Sequence, residues 1–265
     1  MKKILLAFTA FALLSGSALA ADLPPGPTTY KAPPAAVPVW SWTGFYLNAG
    51  GGYGLWSADT TTVSPTTGAC VLCVTQTQGG KGWFGTAGGG FDYQFSDHIV
   101  AGLLADYDFS SLKGTIQDQT PFFAGTIKEN WSWAGGARIG WLVTPQVFGY
   151  FNGGYTETHF NSATMVTTFA GATTGFSTPA FSQGGWFLGG GTEATLAPWL
   201  PTGWFLRSEY RYSYYGTKNL PDTCPGVSGS AACGGFATPE ATITFHPTEQ
   251  MLSTSIVYKF NWMGH

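Results

Sequence analysis

Apolar and polar positions alternate along most of the chain, and the alternation is clearest in residues 185–215. In the second half of this stretch, Arg207, Glu209 and Arg211 share one face, and the positions between them are mostly aromatic or aliphatic. In the first half, Glu193 shares a face with glycines, opposite a tryptophan and a leucine. A period of two predicts strands, because successive side chains leave a strand on opposite faces. The stretch therefore predicts a hairpin.

The same alternation predicts eight strands, joined in turn by long and short connections. The first strand is expected at 42–56, and others at 82–95, 99–109 and 147–158. In the fourth strand, we expect Asn130, Ser132 and Arg138 to point inward. The long connections are expected to be loops at 57–81, near 111–126, at 160–181 and at 217–248.

One face of nearly every predicted strand is apolar, and the other is small or carries charges of both signs. Only 9% of the residues are charged, whereas a soluble domain usually has about a quarter. No run after residue 20 reaches the ~20 apolar residues of a membrane helix. A closed barrel is then the remaining way to satisfy backbone groups in lipid. We predict an all-β fold, an eight-stranded antiparallel transmembrane β-barrel with short periplasmic turns and long extracellular loops. A secreted β-sandwich is the competing fold.

The first 20 residues have the pattern of a signal peptide. Lys2 and Lys3 precede an apolar run, and small residues offer a cleavage site between Ala20 and Ala21. Residues 21–41 are Pro-rich and predict a periplasmic linker, and 42–262 would form the barrel. A signal peptide followed by a barrel predicts a protein of the outer membrane. An even number of strands would leave both termini in the periplasm.

Tryptophans are expected to mark the two rims of the barrel, where amphipathic rings are most stable. The rim with the short turns would hold Trp42, Trp141, Trp199, Trp204 and Trp262. The opposite rim would hold Trp56, Trp83, Trp131 and Trp186.

Inward charges predict a network of ion pairs in the lumen. Its expected members are Asp92, Arg138, Glu193, Arg207, Glu209 and Arg211. Paired carboxylates with a base could instead form a hydrolase. However, eight strands leave room only for side chains, and buried charges must pair. The four histidines form no evident catalytic group. We therefore predict no enzyme, and no catalytic, cofactor or metal site.

The four cysteines lie in the first and last long connections. An oxidising compartment favours disulfides over a zinc site at Cys70 and Cys73. We favour the local pairs Cys224–Cys233 and Cys70–Cys73. Pairing between the two loops stays open, because the first and last strands must be neighbours in a closed barrel.

Specific motifs also resemble a known family. The pattern G-W-x-x-G-x-G-x-E at 185–193, followed by x-R-x-E-Y-x-Y, is similar to opacity-protein-like outer-membrane surface antigens of Gram-negative bacteria. The likeness extends to the Pro-rich start, to 42–46 and to 257–260. It implies a porin-family surface antigen with a structural or surface-interaction role. An adhesin or ligand-capturing protein (haem is one example) and a small-solute porin channel are the alternatives.

The expected partners follow from this interpretation. They are outer-membrane lipid, the barrel assembly machinery and host or cell-surface ligands that contact the loops. Removal of the leader leaves nine basic against 14 acidic side chains, a balance that argues against nucleic acid.

The resemblance also implies a C-terminal assembly signal at Tyr258 and Phe260, since outer-membrane barrels end in alternating apolar residues and an aromatic. We predict that Phe260→Ala lowers the amount of protein reaching the outer membrane, as measured by membrane fractionation and immunoblotting. Normal outer-membrane levels of this variant would contradict the assignment.

Overall fold

The computed structural model describes residues 41–64, 66–70, 75–117, 123–167, 173–197, 199–224 and 241–261. The predicted signal peptide, its cleavage site at Ala20 and Ala21, and nearly all of the 21–41 linker lie outside these residues. The regular elements of the described part are strands. They are β1 Gly44–Val63, β2 Gln76–Gln94, β3 Ile99–Ser110, β4 Lys113–Gln117, β5 Phe123–Thr144, β6 Val147–Phe160, β7 Ala163–Thr167, β8 Thr173–Thr178, β9 Phe181–Thr195, β10 Trp204–Tyr215, β11 Lys218–Pro221 and β12 Thr242–Asn261. No helix in this part is long and apolar enough to cross a membrane.

Eight of the strands form an antiparallel ring. Its order is β1, β2, β3, β5, β6, β9, β10 and β12, and β12 pairs with β1 along its whole length. The β3–β5 pairing closes the other side. Closure leaves the ring without a free sheet edge. A β-structure in lipid requires this, because unpaired backbone groups cannot bond to water there. The predicted fold class, an all-β antiparallel eight-stranded barrel, is confirmed.

The outer face of this ring is an apolar belt. Its exposed side chains include Phe45, Leu47, Leu103, Ile139, Phe151, Leu188, Leu252 and Ile256. On β1 these residues occupy odd-numbered positions and on β12 even-numbered positions, as the alternation predicted. The short turns lie at one end of the belt, which we call the turn end, and the opposite end is the loop end. At the turn end, the Phe95 amide donates to the Ile99 carbonyl across the β2–β3 turn.

The described parts of the four long connections are mostly strands, whereas the sequence predicted loops. β1 continues to Val63 and β12 begins at Thr242, so both strands have 20 residues, whereas a membrane-spanning strand needs ~9–11. The short strands continue this pairing: β11 pairs with β12, β4 with β2 and β5, and β7 with β5 and β8. We call this part, beyond the belt, the loop-end tier. A bridge between Ser177 and Thr223 joins β8 to the residues just after β11.

The loop-end tier has its own apolar core. Its buried side chains include Trp56, Leu112, Ile116, Phe123, Ile127, Phe160, Met165, Phe176, Phe181, Leu220, Ile243 and Phe245. Phe160, Phe181 and Phe245 contact one another with ring centroids 5.2–5.7 Å apart. Burial of these rings explains why Thr- and Gly-rich segments form strands, since apolar area removed from water stabilises the tier. Composition alone suggested loops.

The position of Asn130 was predicted wrongly. The β5–β6 register shifts between Glu129 and Trp131, so β5 has a β-bulge there. A bulge adds one residue to one strand and changes which side chains point inward beyond it. Glu129 is therefore buried inside the barrel and Asn130 is exposed. Ser132 and Arg138, on the other side of the bulge, point inward as expected.

Two tryptophans were also assigned wrongly to the rims. Trp42 is buried inside the turn end against Phe148 and Phe205, with ring centroids 5.3 and 5.0 Å apart. Trp56 is buried in the core of the loop-end tier. Both rings thus fill the interior. The other rim tryptophans in the described residues are at least partly exposed; they are Trp83, Trp131, Trp141, Trp186, Trp199 and Trp204. Trp262 lies outside the described residues.

The core of the loop-end tier predicts a large difference between two neighbouring positions. Ile127 is fully buried and Thr126 is exposed on the same strand. We expect Ile127→Ala to lower the free energy of unfolding by about 2–5 kcal/mol, because it leaves a cavity. Thr126→Ala is the matched control, with an expected change of about 0.5 kcal/mol or less. Urea unfolding in detergent micelles measures both, and equal stability of the two variants would contradict a packed tier.

Candidate functional site

The candidate site is the charged interior of the eight-stranded ring. The charged residues come from the inward faces of six strands: Asp92 from β2, Asp106 and Asp108 from β3, Arg138 from β5, Glu193 from β9, Arg207, Glu209 and Arg211 from β10, and Lys259 from β12. The period-two alternation places them inside, because their sequence neighbours are the apolar residues of the belt. The structure brings together all six residues that the sequence analysis selected.

Five of these residues form a cluster near the turn end, which we call the turn-side cluster. Arg138 donates to both carboxylate oxygens of Asp92, at 2.8 and 2.5 Å, and its Nη1 lies 3.2 Å from Glu193 Oε2. Arg207 donates to the same Glu193 oxygen at 2.9 Å. Lys259 Nζ lies 2.8 Å from Asp92 Oδ2 and also 2.8 Å from Glu193 Oε1. The second of these two contacts is an ion pair without hydrogen-bond alignment.

A second group, the loop-side cluster, is centred on Arg211. Its guanidinium donates to both oxygens of Asp106, at 2.8 and 2.9 Å, and to Glu209 Oε1 at 2.7 Å. The Tyr150 hydroxyl donates to Glu209 Oε2 at 2.6 Å. Paired guanidinium–carboxylate bonds of this kind fix geometry as well as charge.

In the described part of the chain, the two clusters balance their charges. Asp92, Asp106, Glu193 and Glu209 are paired with Arg138, Arg207, Arg211 and Lys259. All are nearly or fully buried except Asp106. The loss of hydration of buried charges is offset only when partners and hydrogen bonds replace water. The alternating signs of β10 are thus explained by neutralisation.

Aromatic rings close the space around the turn-side cluster. The Arg138 guanidinium lies 4.3 Å from the ring centroid of Tyr46, and Arg207 lies 4.8 Å from the same centroid. Lys259 Nζ lies 4.4 Å from the Trp42 ring. Such cation–π contacts favour desolvated cations. Trp42, Tyr46, Phe148 and their buried apolar neighbours form a floor across the turn end.

The space left beside the charges is small. A cavity of about 30 Å³ lies between the clusters and is lined by residues that include Asn48, Thr86, Asp108, Ser253 and Ser255. That volume holds about two water molecules. Its lining of carboxylates, hydroxyls and guanidinium groups suits water.

Two further buried carboxyls, on β5 and β12, were not predicted from the sequence. Glu129 and Glu249 are both fully or nearly fully buried and interact with each other. The Tyr215 hydroxyl donates to Glu249 Oε2 at 2.8 Å. Glu249 follows the inward parity of β12, so the alternation contained that signal. Glu129 points inward only because of the bulge.

The remaining candidate groups lie apart from the lumen. His159 Nδ1 lies 3.0 Å from Ser182 Oγ, and the imidazole stacks on Trp131, whose ring centroid is 5.1 Å away. Among the described residues, no group of three or more His, Cys, Asp or Glu side chains could hold a metal ion.

The predicted disulfides and the assembly signal have different positions. Cys70 and Cys224 are both disulfide-bonded. Cys73 and Cys233 lie outside the described residues, and the pairing stays a prediction. Tyr258 and Phe260 lie on the outer face of β12, with ring centroids 4.9 Å apart.

Comparison with known proteins decides the family. No protein-family model matches the sequence. The chain is 30% identical over 235 residues to the 31 kDa outer-membrane immunogenic protein of Brucella melitensis, covering 84% of this chain and 90% of that protein. The chain belongs to the outer-membrane immunogenic protein family. It is also 26% identical over 221 residues to the 25 kDa outer-membrane immunogenic protein of Brucella abortus, covering 83% and 87% of the two chains.

This membership confirms the predicted resemblance and the outer-membrane location. Solved structures with a similar fold include OprG of Pseudomonas aeruginosa, at 14% identity and a TM-score of 0.47, which covers 82% of this chain and 98% of that chain. Neisserial surface protein A is similar at 13% identity and a TM-score of 0.38, with the same coverages. Similarity at this level supports no conclusion about ligands.

The ion pairs predict an order of sensitivity among lumen variants. We expect Glu193→Ala to lower the free energy of unfolding by about 3–5 kcal/mol. Glu193 is the carboxylate that pairs with Arg207, so its removal leaves the buried Arg207 charge without that partner. Glu209→Ala should cost less, since Arg211 keeps both bonds to Asp106. Thr192→Ala, on the exposed face beside Glu193, is the control.

Urea unfolding in micelles ranks the three variants. The pairing would be contradicted if Glu193→Ala were no less stable than Thr192→Ala, or if Glu209→Ala were the most destabilised.

Proposed function

We propose that the protein is a surface-displayed outer-membrane barrel with a plugged lumen, whose role is structural or surface-interactive. The packed interior carries the proposal. From the turn end to the loop end, the apolar floor, the ion pairs and the apolar core of the loop-end tier follow one another along the axis. The cavity beside the ion pairs has a volume of about 30 Å³, which is far too small for the passage of a hydrated solute. The name of the relatives, outer-membrane immunogenic protein, is consistent with a surface role.

The proposed orientation places the loop end outside the cell and both termini in the periplasm. Outer-membrane barrels have short periplasmic turns and long external connections. Here the short connections between β2 and β3, between β5 and β6, and between β9 and β10 all lie at one end. The first and last strands also begin and end there, at Gly44 and Asn261. The barrel assembly machinery would then read Tyr258 and Phe260 from the periplasm.

The loop-end tier favours a second candidate function, which is contact with host or cell-surface ligands. Its outward face is rich in threonine, as at Thr61, Thr77, Thr115, Thr126 and Thr244. The buried core behind this face makes it a firm wall instead of a set of free loops. We infer that a surface ligand would contact a preformed sheet, so binding would not require ordering of a long loop. Catalysis has no part in this proposal.

The plugged lumen predicts that the purified protein does not conduct ions. We expect no stepwise increase in conductance when it is reconstituted into planar lipid bilayers, because an eight-stranded barrel leaves an interior that side chains can fill. A large general porin, reconstituted in the same way, is the positive control. Heat-dependent mobility in gel electrophoresis verifies that the sample is folded. Regular, voltage-dependent conductance steps from folded protein would support the channel alternative instead.

A further inference from the structure

Three lysines form a row on the outside of the barrel. Lys81 on β2 is directly opposite Lys113 on β4, and Lys113 is directly opposite Lys128 on β5. All three side chains point outward, because their sequence neighbours Gly80, Gly114 and Ile127 lie on the inward faces of these strands. We call these three residues the lysine row.

The distribution of basic residues makes this row unusual. The described part of the chain has eight basic side chains, and four of them neutralise carboxylates in the lumen. Three of the other four are in the lysine row. The fourth, Lys218, is exposed on β11. The outer wall thus concentrates its positive charge on one side of the barrel.

The apolar belt fixes the height of the row. On β2, outward residues run from Tyr93 to Trp83, which is 70% exposed, and Lys81 is the next outward position. This span of 11 residues, from 83 to 93, matches the ~9–11 residues that cross the hydrocarbon layer. Lys81 lies two residues beyond Trp83, about 7 Å along the strand. The headgroup layer is about 5–8 Å thick on each side.

The adjoining strands give the same height. The outward face of β3 ends in Phe109, which is exposed, and Lys113 follows just after the strand ends. On β5, Trp131 ends the belt and Lys128 lies beyond the bulge. Three aromatic residues therefore mark the lipid boundary, and the lysine row lies immediately above them.

No carboxylate in the described residues forms an ion pair with the row. Asp59, on the outer face of β1, accepts a hydrogen bond from Thr77 at 2.7 Å. Thr77 lies four residues before Lys81 on β2, so Asp59 is bonded at a different position from the row. Like charges directly opposite each other destabilise a sheet. The row is therefore a cost to the isolated barrel, and an external anion would remove that cost.

We propose that the lysine row binds the phosphate groups of lipid headgroups in the leaflet at the loop end, the outer leaflet in the orientation proposed above. Ammonium groups at this height meet phosphates without leaving water, and their stems lie along the belt. Neighbouring phosphates would separate the three charges and relieve their repulsion. The barrel would thus hold a phosphorylated lipid on one side only, over β2, β4 and β5.

Lipid retention tests the proposal on the full mature chain. The protein is reconstituted in phosphatidylcholine nanodiscs that contain a minor fraction of bisphosphorylated lipid A, then extracted gently and examined by native mass spectrometry. We expect wild type to retain lipid A, and the triple variant K81Q/K113Q/K128Q to bind it about 100-fold more weakly, at about fivefold per lysine. The matched control is K218Q, which removes an exposed lysine outside the row and should retain lipid A like wild type.

Two further arms separate the sources of phosphate and guard against misfolding. Dephosphorylated lipid A should not be retained, and inorganic phosphate alone should not compete. Raised salt should weaken retention by the wild-type protein, which needs no variant. Equal retention by wild type and the triple variant overturns the proposal, as does retention of the dephosphorylated lipid. Effective competition by inorganic phosphate would overturn the lipid as the source. If the triple variant fails to fold, insensitivity of wild-type retention to salt overturns it.

Discussion

An eight-stranded ring in lipid has an interior that only side chains can fill, and the rest of the structure depends on that constraint. Glycines on the inward faces let strands approach and leave space for long charged groups from across the lumen. At Gly136 and Gly140, for example, an added methyl group would lie within 2.3 Å of a neighbouring carbonyl oxygen. In so narrow a space, a charge must have its partner built in. Glu193 therefore contacts Arg138, Arg207 and Lys259 at once.

The wall keeps its strands but reverses its polarity where it leaves the belt. On β1, the apolar outward residue Leu55 is followed by outward Ser57 and Asp59, while inward glycines give way to Trp56. The reason is the change of surroundings. Lipid outside the belt favours apolar residues there, whereas water outside the loop-end tier favours apolar residues within. The same strand thus directs its apolar side chains outward to lipid within the belt, and inward to the core beyond it.

This reversal explains what the sequence could and could not predict. Within the belt, one parity of residues was apolar from end to end, so strands, faces and the six lumen charges could be read directly. Beyond the belt, the apolar parity changes from Leu55 to Trp56, and a single alternation no longer fits. Such segments resemble loops. The bulge at Glu129 is a second local change of parity, and only pairing with β6 reveals it. That Lys81 and Lys113 are neighbours could also not be predicted from the sequence, because it depends on the register between β2 and β4.

The continuous pairing of the loop-end tier determines what an antibody would recognise. Val63 lies opposite Thr242, and Thr61 lies opposite Thr244, although about 180 residues separate the partners in the chain. Neighbouring side chains on this surface therefore come from distant parts of the sequence. A short peptide copied from one strand would reproduce only half of each such pair. An antibody that recognised such a pair would bind a discontinuous surface, and that surface would be lost when the barrel unfolds.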